Sequence, residues 1–140
     1  MFEDVWGWAG RIRGTDKTIG IPWYQINDQL AQLFANLPYW HKLSRVEQSV
    51  RLHHGAVHIH PFENGNGRWS RMLANIWLKQ TEDKFVRWPE DTIACLSPIR
   101  EEYLVAIKAA DEYDFAPLID LHERFLRDDL FNPVRVQENQ

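Results

Sequence analysis

His60-Pro61-Phe62-Glu63-Asn64-Gly65-Asn66-Gly67-Arg68-Trp69-Ser70-Arg71 breaks one helical pattern and starts another, and reading that junction decides the fold of this chain. Before it, Val46, Val50, His53, His54 and Val57 recur at helical spacing behind Ser44-Arg45-Val46-Glu47, which has the form of a capping box. After it, Trp69, Met72, Leu73, Ile76 and Trp77 fall at i, i+3, i+4, i+7 and i+8. They predict a helix with that stripe against the core and with Arg71, Asn75 and Lys79 off it. Between the two patterns, Pro61 and the glycines at 65 and 67 form a loop that runs straight into a helix N-terminus.

That junction is an anion site in outline. The first backbone N–H groups of a helix have no intrahelical partner, the macrodipole is positive there, and glycines let phosphate oxygens approach the main chain. Arg68 and Arg71 stand three apart in the first turns, so both guanidinium groups can reach one anion. Two cations at the positive end of a helix are locally unfavourable, which predicts a polyanionic ligand. His60, just before the loop, has an ordinary pKa of about 6.5 and can take a proton from a hydroxyl at neutral pH.

Working outward, Phe2, Val5, Trp6 and Ala9 predict a short helix over residues 2–9. Residues 11–24 alternate β-branched residues with turn formers and predict a small β-hairpin or extended flap. A helix is expected from the cap Asn27 through Leu30, Leu33, Phe34 and Leu37 to a stop at Pro38, and another from Ser97-Pro98 through Tyr103, Ala106, Ile107 and Ala110. A last one starts near Asp114 and carries Leu118, Leu121 and Phe125. The expected fold is mainly α, a helical bundle with a small β-hairpin flap over the site. It forms one domain over residues 1–131, followed by a polar tail over 132–140.

Composition agrees with one globular domain: 140 residues bury roughly 68–70% of the extended chain's surface, and the 44% hydrophobic content supplies a core. A net charge of −4 lacks the basic excess of a nucleic-acid binder. No apolar run approaches the ~20 residues that span a bilayer. With a single cysteine, Cys95, read as a small buried hydrophobe, the expected location is cytoplasmic.

The segment 60–71 resembles the signature of the Fic (filamentation induced by cAMP) family, His-x-Phe-x-(Asp/Glu)-Gly-Asn-Gly-Arg-x-x-Arg. His60, Phe62, Gly65, Asn66, Gly67, Arg68 and Arg71 match, and Asn64 stands where the acid belongs. Lys17-Thr18-Ile19-Gly20 and the stretch from Arg100 to Leu118 also look like Fic proteins. The chain is similar to the branch called mobile mystery protein B, whose loop carries asparagine at the same place.

The resemblance implies a nucleotidyltransferase, a protein adenylyltransferase that moves AMP from Mg²⁺-bound ATP to a Ser, Thr or Tyr hydroxyl of a target protein (AMPylation). In it, His60 is the general base, Gly65, Asn66 and Gly67 form the anion hole, Arg68 and Arg71 hold the phosphates, and Phe62 anchors the loop. Attack falls on the α-phosphate. The flap residues Thr15, Asp16, Lys17, Thr18, Ile19 and Gly20 are expected to pair with an extended target segment by strand addition. Asn64 falls at the position of the Mg²⁺-ligating acid, where an amide offers only its carbonyl, and Glu63 is a candidate to compensate.

Fic enzymes are commonly restrained by a helix with the pattern Ser/Thr-x-x-x-Glu-Gly/Asn, whose glutamate pairs with the second arginine, and this pattern does not occur here. The restraint is expected upstream of Met1, in a separate partner such as an antitoxin, or nowhere. Two rivals stand beside the transferase. One is a nucleotide-binding toxin or regulatory module with weak or altered transfer, of another nucleotide or a phosphoryl group. The other is a metal hydrolase built on His53, His54, His58 and His60, where 54 and 58 have the i, i+4 spacing of helix-borne ligands.

Overall fold

A computed structural model describes residues 11–128 of the chain. The helix expected over 2–9 and the tail over 132–140 lie outside the described residues. In chain order the elements are α1 (Ile26–Ala35), α2 (Arg45–Ile59), α3 (Asn66–Glu82), β1 (Lys84–Val86), α4 (Glu90–Ile93), α5 (Pro98–Asp111), α6 (Ala116–Arg124) and β2 (Leu126–Asp128). Short 3₁₀ turns at Trp23–Gln25 and Leu37–Trp40 flank α1, and Pro38 sits inside the second of them rather than ending the helix abruptly.

The capping reading holds for the two helices that matter most. Ser44 Oγ accepts from Glu47 N at 3.1 Å and opens α2, while Ser97 Oγ accepts from Arg100 N at 3.2 Å with Pro98 at the first position of α5. Helix α1 starts after Gln25, not at the expected cap Asn27, whereas α6 starts after Phe115, near Asp114 as expected, with Asp114 Oδ1 accepting from Ala116 N at 3.3 Å.

Helices α2 and α3 form an αα-hairpin, the most extensively packed pair in the fold, with the loop 60–65 at its turn. The face α3 turns inward is not the expected stripe. The buried row is Asn66, Ser70, Ala74 and Leu78, with Arg71 beside it, whereas Ile76 is 47% exposed and Trp69, Met72, Leu73 and Trp77 lie half-buried along the flank. Small side chains in the buried row let the helix axis approach its neighbours, so the large ones close over the sides. Trp77 Nε1 donates to Gln48 Oε1 at 3.0 Å, and buried Gln48 donates in turn to the carbonyls of Trp40 and Leu43.

The described residues are mainly helical with one small antiparallel sheet, as expected, but the strands are not in the flap. Val86 pairs with Leu126 and Lys84 with Asp128, and the other edge of β1 is closed by Asn75, which exchanges hydrogen bonds with Val86 N and O at 2.7 and 2.9 Å. Residues 11–21 contain no strand, because their backbone is pinned to the end of α2 instead of to itself. Cys95 is exposed, contrary to the buried hydrophobe expected, on the turn after α4.

Two apolar clusters surround α2. One gathers Val50, Leu78, Trp88, Ile107, Leu118 and Leu121, and the other Ile26, Leu33, Leu52 and Ile59. Through the first runs a buried polar chain. Ser49 Oγ donates to Val46 O at 2.6 Å, so it accepts from His122 Nδ1 at 3.3 Å; His122 Nε2 then accepts from His53 Nδ1 at 2.8 Å, and His53 Nε2 from the Tyr103 hydroxyl at 2.7 Å. Both imidazoles are neutral with fixed tautomers. Burial holds the His122 pKa down at about 3, and burial followed by the His122 charge pushes His53 well below the usual value.

This chain makes the fold acid-sensitive. In the unfolded state both rings protonate near pH 6.5, while the folded state refuses the protons, so stability present above pH 6.5 is lost as pH falls below it toward 3. Urea unfolding at pH 7.5 and pH 5.5 is expected to differ by about 2–3 kcal/mol, and His122→Asn to flatten the dependence. Equal stabilities at the two pH values would refute the neutral pair.

Candidate active site

The site is built where α2 ends and α3 begins. His60 closes α2 in the left-handed region, φ 53, with its N–H on Ala56 O, and the chain then turns through Pro61 and Phe62. Asn66 braces that turn: its amide donates to Phe62 O at 2.7 Å and accepts from Phe62 N at 2.8 Å. The Phe62 ring packs edge-on against Trp69, 5.2 Å between centroids, as a half-buried anchor rather than a core residue. Gly65, φ 76, precedes α3, so a left-handed residue at each side of the loop reverses the chain within six residues.

One residue that the sequence reading passed over organises this end of the molecule. Arg13 is only 2% exposed, and its guanidinium donates to His60 O at 2.7 Å, Thr15 O at 2.8 Å, Ile59 O at 3.3 Å and Ile21 O. Carbonyls at a helix C-terminus lack partners and the dipole there is negative, so a buried forked cation satisfies both demands. Backbone bonds from Arg13 N to Pro61 O at 2.9 Å and Ile21 N to Ile59 O at 3.4 Å complete the attachment. The signal in the sequence was an arginine amid β-branched residues, and that pattern does not distinguish a clamp from a solvated charge.

Thr15, Asp16, Lys17, Thr18, Ile19 and Gly20 therefore form an exposed arch over the loop, not a hairpin. Asp16 Oδ1 accepts from Trp23 N at 2.9 Å, and Lys17 Nζ meets Glu63 Oε2 at 2.7 Å, so Glu63 faces the flap and is engaged there. Gly20, φ 97, touches down beside the histidine. A Cβ there would stand 2.7 Å from His60 Cβ and 2.9 Å from Arg13 Nη2.

His60, Gly65, Asn66, Gly67, Arg68 and Arg71 all line one cleft of about 490 Å³, with Ile19 of the flap and Arg100, Tyr103 and Leu104 of α5. The loop residues selected from the sequence thus meet, apart from Asn64, which is exposed at the loop tip and outside the cleft wall, and of the flap residues only Ile19 lines the cleft. His60 is half-buried, and desolvation first, then the nearby charges of Arg13 and Lys17, lowers its pKa below 6.5. The imidazole is an unprotonated base at neutral pH. Arg71 already has an anion, Glu90, bound through Nε and Nη2 at 2.9 and 2.7 Å, so the counter-charge expected from a ligand is supplied in part by the chain itself.

Among the described residues no carboxylate lines this cleft, and Glu63 and Glu90 are both paired with cations. These donors do not fit a Mg²⁺ ion held by the protein. The histidine cluster does not form a metal site either. Both ring nitrogens of His53 are in the buried chain, His54 Nε2 binds Asp111 Oδ1 at 2.7 Å, and the described residues hold no group of three metal-ligating side chains.

The profile of the Fic/DOC family matches residues 2–78, with the loop and both arginines inside the match. The chain belongs to the Fic/DOC family. Over 126 residues it is 32% identical to Protein adenylyltransferase Fic of Drosophila grimshawi, covering 86% of this chain and 24% of that protein. It superimposes on Fic-1 (aa134 - 508) from C. elegans with a TM-score of 0.66 at 25% identity, over 84% of this chain and 34% of that one. It also superimposes on the BepC protein of Bartonella tribocorum with bound AMPPNP, TM-score 0.56 at 24% identity, over 84% and 56%. The chain thus spans about a quarter of the curated relative.

Two substitutions test the architecture of this domain. Gly20→Ala forces a Cβ into His60 and a side chain into the left-handed region, so it is expected to cost about 1–3 kcal/mol and to expose the amides of Arg13 and Ile21 to hydrogen exchange. Arg13→Lys keeps the charge and loses the fork; it is expected to lower the unfolding free energy by about 2–4 kcal/mol in urea titrations. Wild-type exchange and stability in both variants would refute the clamp.

Proposed function

We propose that the cleft transfers AMP from ATP to a hydroxyl on a protein target. The observation that carries this reading is the neutral imidazole of His60 in the wall of the same cleft as the open N-terminus of α3, Arg68 and Arg71. The adenylyltransferase names of its relatives and the nucleotide analogue bound to BepC support it. In this reading the phosphates lie across the backbone of Gly65 to Gly67, the two guanidinium groups take their charge, and the target lies along the arch 15–20.

The chemistry follows from that placement. His60 takes the proton from the target hydroxyl, whose oxygen forms a bond to the α-phosphorus as the bond from that phosphorus to the bridging oxygen breaks. Pyrophosphate leaves, with its charge spread over the α3 amides and the arginines. Any Mg²⁺ is carried by the phosphate oxygens, since Asn64 offers one amide carbonyl and lies outside the cleft wall.

ATP labelled on the α- or the γ-phosphate, incubated with the protein and a lysate of acceptor proteins, tests this reading. Label from the α position is expected on protein and is expected to fall by about 10²–10⁴-fold in His60→Ala. Label from γ indicates phosphoryl transfer, and nucleotide binding without label indicates a binding module; either outcome overturns the proposal. Because the His60 pKa is lowered, the transfer rate is expected to fall with decreasing pH with a midpoint below 6.5. A midpoint above 6.5 would contradict the placement of the base.

A further inference from the structure

Arg71 is fixed on two of its three sides. Glu90, from the short α4 after Trp88-Pro89, takes its Nε and Nη2 edge bidentately. The Tyr103 ring lies under the guanidinium, 5.6 Å from Cζ to centroid, and Tyr103 is itself held through its hydroxyl by His53. The third side is a gap. Nη1 folds back over Gly67, 3.1 Å from where a Cβ would stand, so a side chain at 67 would crowd the guanidinium.

Glu90 does not line the cleft, whereas Arg71, Gly67 and Tyr103 do. The carboxylate therefore reaches the arginine from behind and leaves the Nη1 edge toward the loop. Burial works most strongly against the charge on Arg71, and the hydrogen bonds and charge of Glu90 together with Tyr103 offset it, so its pKa is raised. A buried guanidinium without that partner would have to swing toward water and lose its aim at the loop.

We propose that Glu90 is a positioning residue for phosphate recognition, holding the far edge of Arg71 so that its near edge faces the distal phosphates of a nucleoside triphosphate. This rests on the reading of the cleft as a nucleotide site and adds to it a residue outside the loop signature. The carboxylate touches no substrate and acts through the direction it gives Arg71.

The test is calorimetric binding of a non-hydrolysable ATP analogue and of AMP to the wild type, Glu90→Gln and Glu90→Asp, with melting curves in parallel. Glu90→Gln is expected to weaken the triphosphate roughly tenfold and AMP by less than about twofold, because AMP lacks the phosphates that Arg71 meets. Glu90→Asp keeps the charge and shortens the reach, and is expected to fall between.

Unchanged triphosphate affinity in both variants overturns the proposal. Tighter binding also overturns it, since the carboxylate would then compete with phosphate instead of aiming the arginine. Equal losses for both ligands indicate a general structural effect and likewise overturn it. Wild type that binds neither ligand removes the nucleotide reading itself, an outcome distinct from wild-type binding with unaffected variants.

Discussion

The site depends on the guanidinium of Arg13. Helix α2 ends in carbonyls with no intrahelical partner, at Ile59 and His60, and the flap contributes further carbonyls at Thr15 and Ile21; Arg13 collects all four from a buried position. A helix end closed this way needs no solvent. Its charge also lies close enough to disfavour a proton on His60. One side chain thus ties the flap down, ends the helix and adds to the burial that lowers the His60 pKa.

A second cation shows a similar logic on the other wall of the cleft. Arg71 is buried beside the inward row of α3, where an unpaired charge would be costly, and Glu90 and the Tyr103 ring make it tolerable. Behind Tyr103, the hydrogen-bonded run through His53 and His122 to Ser49 extends the polar site into the apolar interior with every member satisfied. The structure therefore couples the cleft wall to the core through directional bonds, which specify one arrangement where apolar packing alone would tolerate several.

Read this way, the departure at Asn64 changes less than the motif implies. That residue is exposed at the loop tip, and the anionic partners near the site, Glu63 and Glu90, belong to Lys17 and Arg71. In the proposed reading, phosphate recognition falls to backbone amides and guanidinium groups.

The sequence by itself determined the helices and the loop. Periodicity marked α2 and α5, Ser44 and Ser97 marked their starts, and the run from His60 to Arg71 named most of one wall of the cleft, because caps, turns and glycines act over a few residues and leave their mark in order along the chain. What only the tertiary structure decided was pairing at a distance. Arg13 reaches residues 46 and 47 positions away, Arg71 reaches Glu90, Asn75 closes the edge of β1, and the inward row of α3 is Ser70 and Ala74 instead of its tryptophans. The reason is physical: a charged or large side chain reads the same in sequence whether it faces water or a buried partner, and only the packing of separate elements settles which of the two it meets.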